Sequence, residues 1–321
     1  MINASLRIID QLTTQPDRFH EALEGLTAQK KTLHPKFLYD QTGSELFEQI
    51  TKLEEYYPTR TELSIMEESL DEMMRLIGTG STIIEFGSGA SRKIRLLLES
   101  GLISEYVPID IAKSFLKESS EQLASDYPNV DITGIVADYT GELKLPQEIL
   151  DPSKKKTVFF PGSTIGNFEK KEAESFLSTI ANLLLPGDGL LIGVDTKKDP
   201  SVLHDAYNDR KGVTSRFNLN MLEHLNRELD ADFNLDTFKH YAYYNAPMGR
   251  VEMHLVSMIE QTVTIGDETI PFREHETIHT ENSYKYSIDE FKNLALRSGF
   301  LSEAIWTDDD QLFSIHYLKV E

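Results

Sequence analysis

Apolar positions follow two periods along this chain. Between residues 82 and 195, short apolar runs alternate with segments whose apolar positions recur every three or four residues. The runs predict strands at 82–86, 105–110, 131–136, 157–161 and 189–195, and the periodic segments predict helices at 91–100, 112–126 and 169–185. Strands alternating with helices at this pitch make a parallel sheet with right-handed crossovers. Upstream the pattern is helical. Residues 1–30 carry Leu6, Ile9, Leu12, Leu23 and Leu26 at helical spacing, and further helices are expected from about Ser44 to Thr51 and from an N-cap at Thr61 to about Ile77. After Lys198-Asp199-Pro200 the rhythm changes. Residues 200–232 read as largely helical, 238–245, 250–259 and 261–265 as strands, and 288–298 as a helix. The last two strands, 301–307 and 311–318, are joined through Asp308-Asp309-Asp310 and so form an antiparallel hairpin.

Composition excludes several functions. The 321 residues carry 53 acidic against 32 Lys and Arg side chains, a formal net charge of -21. A phosphate-backbone binder needs a basic surface, so nucleic acid is not an expected partner. The absence of cysteine rules out a disulfide, a thiolate nucleophile and Cys-ligated zinc. No apolar run approaches the roughly 20 residues of a membrane helix. Met1-Ile2-Asn3-Ala4-Ser5 does not open a signal peptide. A cytoplasmic enzyme of small molecules is expected, and with no heptad or large apolar patch, a monomer.

The chemistry gathers at strand ends. Ile83-Ile84-Glu85-Phe86-Gly87-Ser88-Gly89-Ala90-Ser91 runs through an acid into a turn of small residues, and Arg92-Lys93 then opens a helix. Open α/β sheets receive nucleosides at such turns. The next strand ends on Asp110, 110 − 85 = 25 residues after Glu85, where a carboxylate can accept both ribose hydroxyls. The third leads to Asp138-Tyr139, an acid for an exocyclic amine beside a ring that can stack on adenine. A dinucleotide fingerprint wants G-x-G-x-x-G, and counting from Gly87 its third glycine falls on Arg92. The G-x-x-x-x-G-K-[ST] phosphate loop is absent too. S-adenosylmethionine carries no phosphate, and Lys93 in the first helical turn could pair with its carboxylate, aided by the helix N-terminus. An ordinary tight turn explains the glycines but not the three strand ends together, so methyl transfer is preferred.

Further motifs narrow this reading. Phe160-Pro161-Gly162-Ser163-Thr164-Ile165-Gly166-Asn167 resembles the G-S-T-I-G-N signature of the histidine-specific methyltransferases. So do Phe37-Leu38-Tyr39-Asp40, Tyr56-Tyr57-Pro58-Thr59-Arg60-Thr61-Glu62, Ala206-Tyr207-Asn208-Asp209, Asn226-Arg227-Glu228-Leu229 and Glu252-Met253, so the resemblance runs from about Leu33 to the C-terminus. It implies a class I methyltransferase-like Rossmann core, residues 60–198 plus 286–321, and a mixed α+β substrate-binding domain, residues 1–59 plus 199–285. It implies S-adenosyl-L-methionine as methyl donor and Nα-trimethylation of L-histidine, a step of ergothioneine biosynthesis. By the resemblance, Gly87, Lys93, Asp110, Asp138 and Tyr139 hold the cofactor. Tyr56, Gly162, Asn167, Tyr207, Met253, Glu281 and Ser283 line the histidine pocket, Asn167 and Tyr207 grip the carboxylate, and Tyr39 lies near the amine as the catalytic residue. Glu281 and Ser283 share a face if their segment is extended, so a carboxylate and a hydroxyl can serve the two ring nitrogens. Such a pocket rejects amino acids that leave those groups unpaired. The chain departs from the family pattern at polar Asn282, where an apolar residue is expected, and at Tyr284 and Tyr286, which make this segment more aromatic. The alternative acceptor is another aromatic amino acid or amine.

Two other classes compete. His275-Glu276-Thr277-Ile278-His279 matches the H-E-x-x-H motif of zinc hydrolases, which needs a helix to bring both histidines to one metal. Pro271 lies just upstream and Thr277-Ile278 favours a strand, so no metal is expected. A non-catalytic module that kept the cofactor fold would not need the set of acceptor residues.

Overall fold

The computed structural model describes residues 5–12, 18–89, 92–139, 141 and 144–320. Five strands carry the parallel core: β3 (Ser81–Phe86), β4 (Ile103–Asp110), β5 (Asp131–Val136), β6 (Lys156–Phe160) and β7 (Gly189–Asp195). They lie in one eight-stranded sheet with β1 (Leu6–Asp10), β13 (Phe300–Thr307) and β14 (Phe313–Val320), in the order β1-β5-β4-β3-β6-β7-β14-β13. Only β13 and β14 run antiparallel to their neighbours. Side chains alternate across the sheet. Ile84, Phe86, Val107, Ile109, Val158 and Phe160 pack on one face with α6 (Lys170–Leu183) and α9 (Ile288–Arg297). Ile83, Tyr106, Ile132 and Phe159 pack on the other with α3 (Tyr57–Ile77), α4 (Arg92–Glu99) and α5 (Lys113–Asp126). Because both faces are covered, these strands read as apolar runs. The chain turns from β5-β4-β3 to β6-β7 about β3, so the crevice for a ligand opens at the C-terminal ends beside Gly87.

A smaller unit has its own core. α1 (Arg18–Thr27), α2 (Gln41–Ile50), α7 (Pro200–Tyr207) and α8 (Val213–Glu228) pack with a four-stranded sheet ordered β2-β12-β9-β8. Its strands are β2 (Lys31–Thr32), β8 (Phe238–Asn245), β9 (Arg250–Ser257) and β12 (Thr277–Tyr284). A separate hairpin joins β10 (Gln261–Ile265) to β11 (Glu268–Phe272). The two sheets meet where β12 runs out beside the end of β7: Thr196 bridges Tyr286, and the Tyr286 N–H donates to the Asp195 carbonyl at 3.1 Å.

Several sequence expectations need correction. Leu6–Asp10, expected within a helix, is an edge strand paired in parallel with β5, so residues 5–12 sit with the large sheet and not with the 1–59 unit. Its half-exposed side chains give no continuous apolar run. Residues 1–4 and 13–17 of that expected helix, like Ala90 and Ser91 of the glycine turn, lie outside the described residues. α3 starts at Tyr57 and not after Thr61, because Pro58 fits the first helical turn, where no N–H is needed. The helical stretch 200–232 is two helices, broken at Gly212 in the left-handed region. β11 is a strand the pattern did not announce. Among the described residues, no helix is long and apolar enough to cross a membrane.

Candidate active site

The residues expected to hold the cofactor lie at the C-terminal edge of the large sheet. Gly87 follows β3 and lies against the Tyr139 ring. Tyr139 also packs on Phe86, Phe160 and Phe176, and burial first, then the Asp110 and Asp138 charges, push its phenol up, so it stays neutral. Asp110 ends β4 and accepts the Ala112 N–H at 2.9 Å and the Gly89 N–H at 3.4 Å. Burial raises its carboxyl, and these backbone bonds oppose the shift. Asp138 precedes Tyr139 just beyond β5. Glu85 offers no ligand contact: it is 2% exposed, faces the interior, accepts the Tyr106 hydroxyl and is pushed by burial to about 8. The acid of the turn thus braces the strand from beneath.

Glu62 was missed by the sequence reading. It is buried on α3, pairs with the Lys93 ammonium, and accepts the Gly162 N–H on both oxygens at 3.0 and 2.9 Å. One carboxylate therefore fixes both the first turn of α4 and the loop after β6. Gly193 makes room for it: a Cβ there would lie 2.0 Å from Glu62 Oε1. The Tyr56-to-Glu62 motif thus serves both ends of the site, since Tyr56 faces the acceptor side.

On the acceptor side, the family motifs first build a frame. Asp40 caps α2 through the Gly43 N–H at 2.7 Å and takes Asn220 and Arg227 from α8, while His224 Nδ1 bonds the Phe37 carbonyl at 2.8 Å. That clamp holds Tyr39. Its ring meets Phe47 and Phe217 edge-on, at 5.8 and 5.5 Å between centroids. Tyr56 continues the aromatic wall to Phe47 and Tyr207 at 6.3 and 6.4 Å. Although Tyr39 is 40% exposed at its edge, withdrawal of its hydroxyl from water, then the Glu281 charge, hold the phenol well above its ordinary value. Tyr56 and Tyr207 are raised in the same way, chiefly by burial. None of the three is a phenolate base.

β12 and β9 bring the rest together. Glu281 pairs with Met253 across the sheet, and Ser283 with Val251. Burial pushes the Glu281 carboxyl up to about 7, with Lys285 opposing. Asn167 closes the short helical turn Thr164–Asn167 and approaches Glu281 Oε1 at 3.5 Å. That turn sits directly on β12: a Cβ on Gly166 would lie 2.7 Å from the Tyr284 carbonyl oxygen. The Tyr207 hydroxyl donates to Ser283 Oγ at 2.7 Å. Asn282 and Tyr284, the departures from the family pattern, point the other way. Both donate to Glu169, at 3.1 and 2.6 Å, beside Arg250. Tyr286 is buried against Phe291. The ring end therefore keeps Glu281 and Ser283 without interference from these side chains.

The H-E-x-x-H residues do not converge. His275 is an exposed turn residue at φ 66°, while His279 stacks on His254 at 4.7 Å. Among the described residues, Glu252, His254 and His279 come within metal-ligand reach of one another. The Glu252 carboxylate already takes Tyr243, Asn245, Arg250 and His254. This is a hydrogen-bonded cluster on the sheet face opposite Met253 and Glu281, in which His254 Nδ1 is left unpaired.

The turn at Gly87, Asp110 and the Tyr139 ring thus stand at the edge of the large sheet, and Tyr39, Tyr56, Tyr207, Glu281 and Ser283 belong to the smaller unit. A model of the SAM-dependent, histidine-specific methyltransferase family matches residues 19–320. The chain belongs to that family. It is 39% identical to the histidine N-alpha-methyltransferase of Mycolicibacterium smegmatis over 88% of this chain and 89% of that one. It is 34% identical to ergothioneine biosynthesis protein 1 of Neurospora crassa, over 88% of this chain but 32% of that longer protein. Among solved structures, the PH0226 protein of Pyrococcus horikoshii superposes with a TM-score of 0.50 at 14% identity, covering 88% of this chain and all of that one. This likeness shows the α/β fold alone. As a member of the family the chain is an S-adenosylmethionine-dependent methyltransferase, and the cofactor expectation from Arg92, Asp110 and Tyr139 is met at this level.

Proposed function

We propose that the protein transfers three methyl groups from S-adenosyl-L-methionine to the α-amine of L-histidine, giving trimethylhistidine for ergothioneine biosynthesis, as a cytoplasmic monomer. The observation that carries the acceptor is the placement of Glu281 and Ser283 two residues apart on β12, with Met253 the cross-strand neighbour of Glu281. A carboxylate and a hydroxyl at that spacing suit the two nitrogens of an imidazole, and Met253 supplies adaptable apolar packing. Asn167 serves the α-carboxylate, Tyr207, whose hydroxyl is given to Ser283, supports the ring end, and Tyr56 and Gly162 line the pocket. On the donor side the residues fit the cofactor. Asp110 takes the ribose hydroxyls, Asp138 and Tyr139 hold adenine, and Gly87 leaves room for the chain. Lys93 serves the amino-acid carboxylate.

When bound, the cofactor supplies an activated sulfonium methyl group. What remains for the protein is positioning and the exclusion of water. The acceptor amine must lose a proton to expose its lone pair. Tyr39, a neutral phenol, accepts a hydrogen bond from a remaining N–H and aims that lone pair along the transfer axis. A quaternary product has no N–H left to give, which weakens its hold on Tyr39 and favours release. The aromatic faces around Tyr39 tolerate the accumulated positive charge.

The test is a panel of acceptors at saturating S-adenosylmethionine, read as S-adenosylhomocysteine released. Histidine is expected to exceed phenylalanine and tryptophan by at least about 100-fold, because both leave the polar ring end unpaired. Preference for tryptophan or for an amine such as histamine would overturn the acceptor while leaving the reaction class.

A further inference from the structure

Lys285 is not needed by the mechanism above, yet it sits beneath the ring end of the pocket. Its side chain is 1% exposed. Its ammonium donates to Asp195 Oδ2 at 2.6 Å, to Ser283 Oγ at 2.8 Å and to the Tyr207 hydroxyl oxygen at 3.2 Å. Three N–H donors thus meet three acceptors. Asp195 lies at the end of β7 in the large sheet and also accepts from Tyr57, at 2.8 Å, and from Lys198. Burial alone would raise the Asp195 carboxyl, but Lys285 and Lys198 outweigh it and hold it below its ordinary value. Asp195 therefore keeps one counter-ion, Lys198, when Lys285 is removed.

The donor inventory then fixes the hydroxyls. An ammonium can only donate, so it occupies one lone pair on Ser283 and one on Tyr207. Tyr207 gives its own proton to Ser283. Ser283 thereby has both lone pairs filled and one proton left, and that proton is free to reach a ligand.

Resting on the histidine reading above, we infer that Lys285 is a specificity-determining positioning residue: through Ser283 and Tyr207 it makes the ring end of the pocket a proton donor opposite the Glu281 acceptor. A ligand that satisfies both must offer one N–H and one bare ring nitrogen, which is the neutral form of an imidazole. A doubly protonated ring would bring an N–H against the Ser283 proton. A benzene ring would satisfy neither group.

The experiment is calorimetric titration of histidine into the enzyme saturated with S-adenosylhomocysteine, for wild type, Lys285→Met, Ser283→Ala and the double variant, between about pH 5.5 and 8. Wild-type affinity is expected to rise with pH across this range. Lys285→Met is expected to weaken histidine by about tenfold, the size of a lost buried hydrogen bond. It should add little in the Ser283→Ala background, and S-adenosylhomocysteine affinity should stay within about threefold. Fully multiplicative losses in the double variant, or an equal loss of S-adenosylhomocysteine binding, would overturn the inference in favour of a purely structural lysine. Affinity falling with pH would overturn it too, since the ring would then bind protonated. If Lys285→Met does not fold, Lys285→Met with Asp195→Asn and Lys198→Met removes the three buried charges together, and the same cycle is run from that background. Wild-type enzyme that binds no histidine in the same titration would fail the substrate reading itself, which separates the two claims.

Discussion

At the scale of single residues, the site is tuned by burial more than by charge. Glu281 has one nearby cation opposing its desolvation, and its carboxyl still rises to about 7. The folded pKa lies above the ordinary value of 4.5, so the folded state holds this proton more tightly than the unfolded chain does. The stability this group contributes is full below about pH 4.5 and is lost as pH rises through 7. Glu281→Gln is therefore expected to stabilise the enzyme at pH 8, by an amount on the order of 1–3 kcal/mol, and to leave stability near pH 4 unchanged. Denaturant unfolding at the two pH values checks this. The same substitution should cut kcat/KM for histidine by about 100-fold, because a charge-assisted bond is lost. Tyr39 carries a separate expectation. Tyr39→Phe should slow the first two transfers by about tenfold and the third much less, since the neutral dimethylated amine has no N–H left for Tyr39 to hold. Single-turnover product ratios on histidine, methylhistidine and dimethylhistidine measure it; equal losses at all three steps would reject the role.

At the scale of elements, the strands were most directly legible where both faces are buried, although half-exposed β8 and β13 were also expected. β3 to β7 read directly as apolar runs. β1 did not, because an edge strand with Leu6, Ile8 and Ile9 only partly covered mimics a helical spacing. The sidedness of Asn282 and Tyr284 was in principle readable from the two-residue alternation, but only once Thr277–Tyr284 was known to be one strand. Long-range ion pairs left no sequence signal at all. Glu62 meets Lys93 and Gly162 from 31 and 100 residues away, and Lys285 meets Asp195 across the junction of two sheets. Gly193 records one of these contacts. In the middle of β7 its glycine has no turn to make, and the reason for it is the Glu62 carboxylate. Gly193→Ala should displace that carboxylate, cost on the order of 1–3 kcal/mol, and weaken S-adenosylhomocysteine binding more than histidine binding. Urea unfolding with separate titrations of the two ligands would show it.

At the scale of the whole molecule, the large sheet carries a core on each face and the smaller unit has a core of its own. The large sheet brings Gly87, Asp110 and Tyr139 to its C-terminal edge. The smaller sheet turns one face of β9 and β12 toward it, and the opposite face is closed by Glu252, His254, Arg250 and Glu169. The short turn Thr164–Asn167 and the crossing at Asp195 and Tyr286 tie the two together. Residues scattered from Tyr39 to Ser283 are therefore proposed to form one site, and the segments that build the separate cores interleave in sequence. The change of rhythm at Pro200 coincides with the start of α7, which packs into the smaller core. The return of residues 5–12 to the large sheet was not legible in the sequence.

The most direct test of the whole account is the product. Enzyme, L-histidine and S-adenosylmethionine are incubated together, and the amino acid is followed by mass spectrometry with fragmentation to place each methyl group. The account predicts successive gains of one, two and three methyl units, all on the α-nitrogen, with the imidazole unmodified. Methylation of the ring, or no gain on histidine while another aromatic amino acid is methylated, would contradict it.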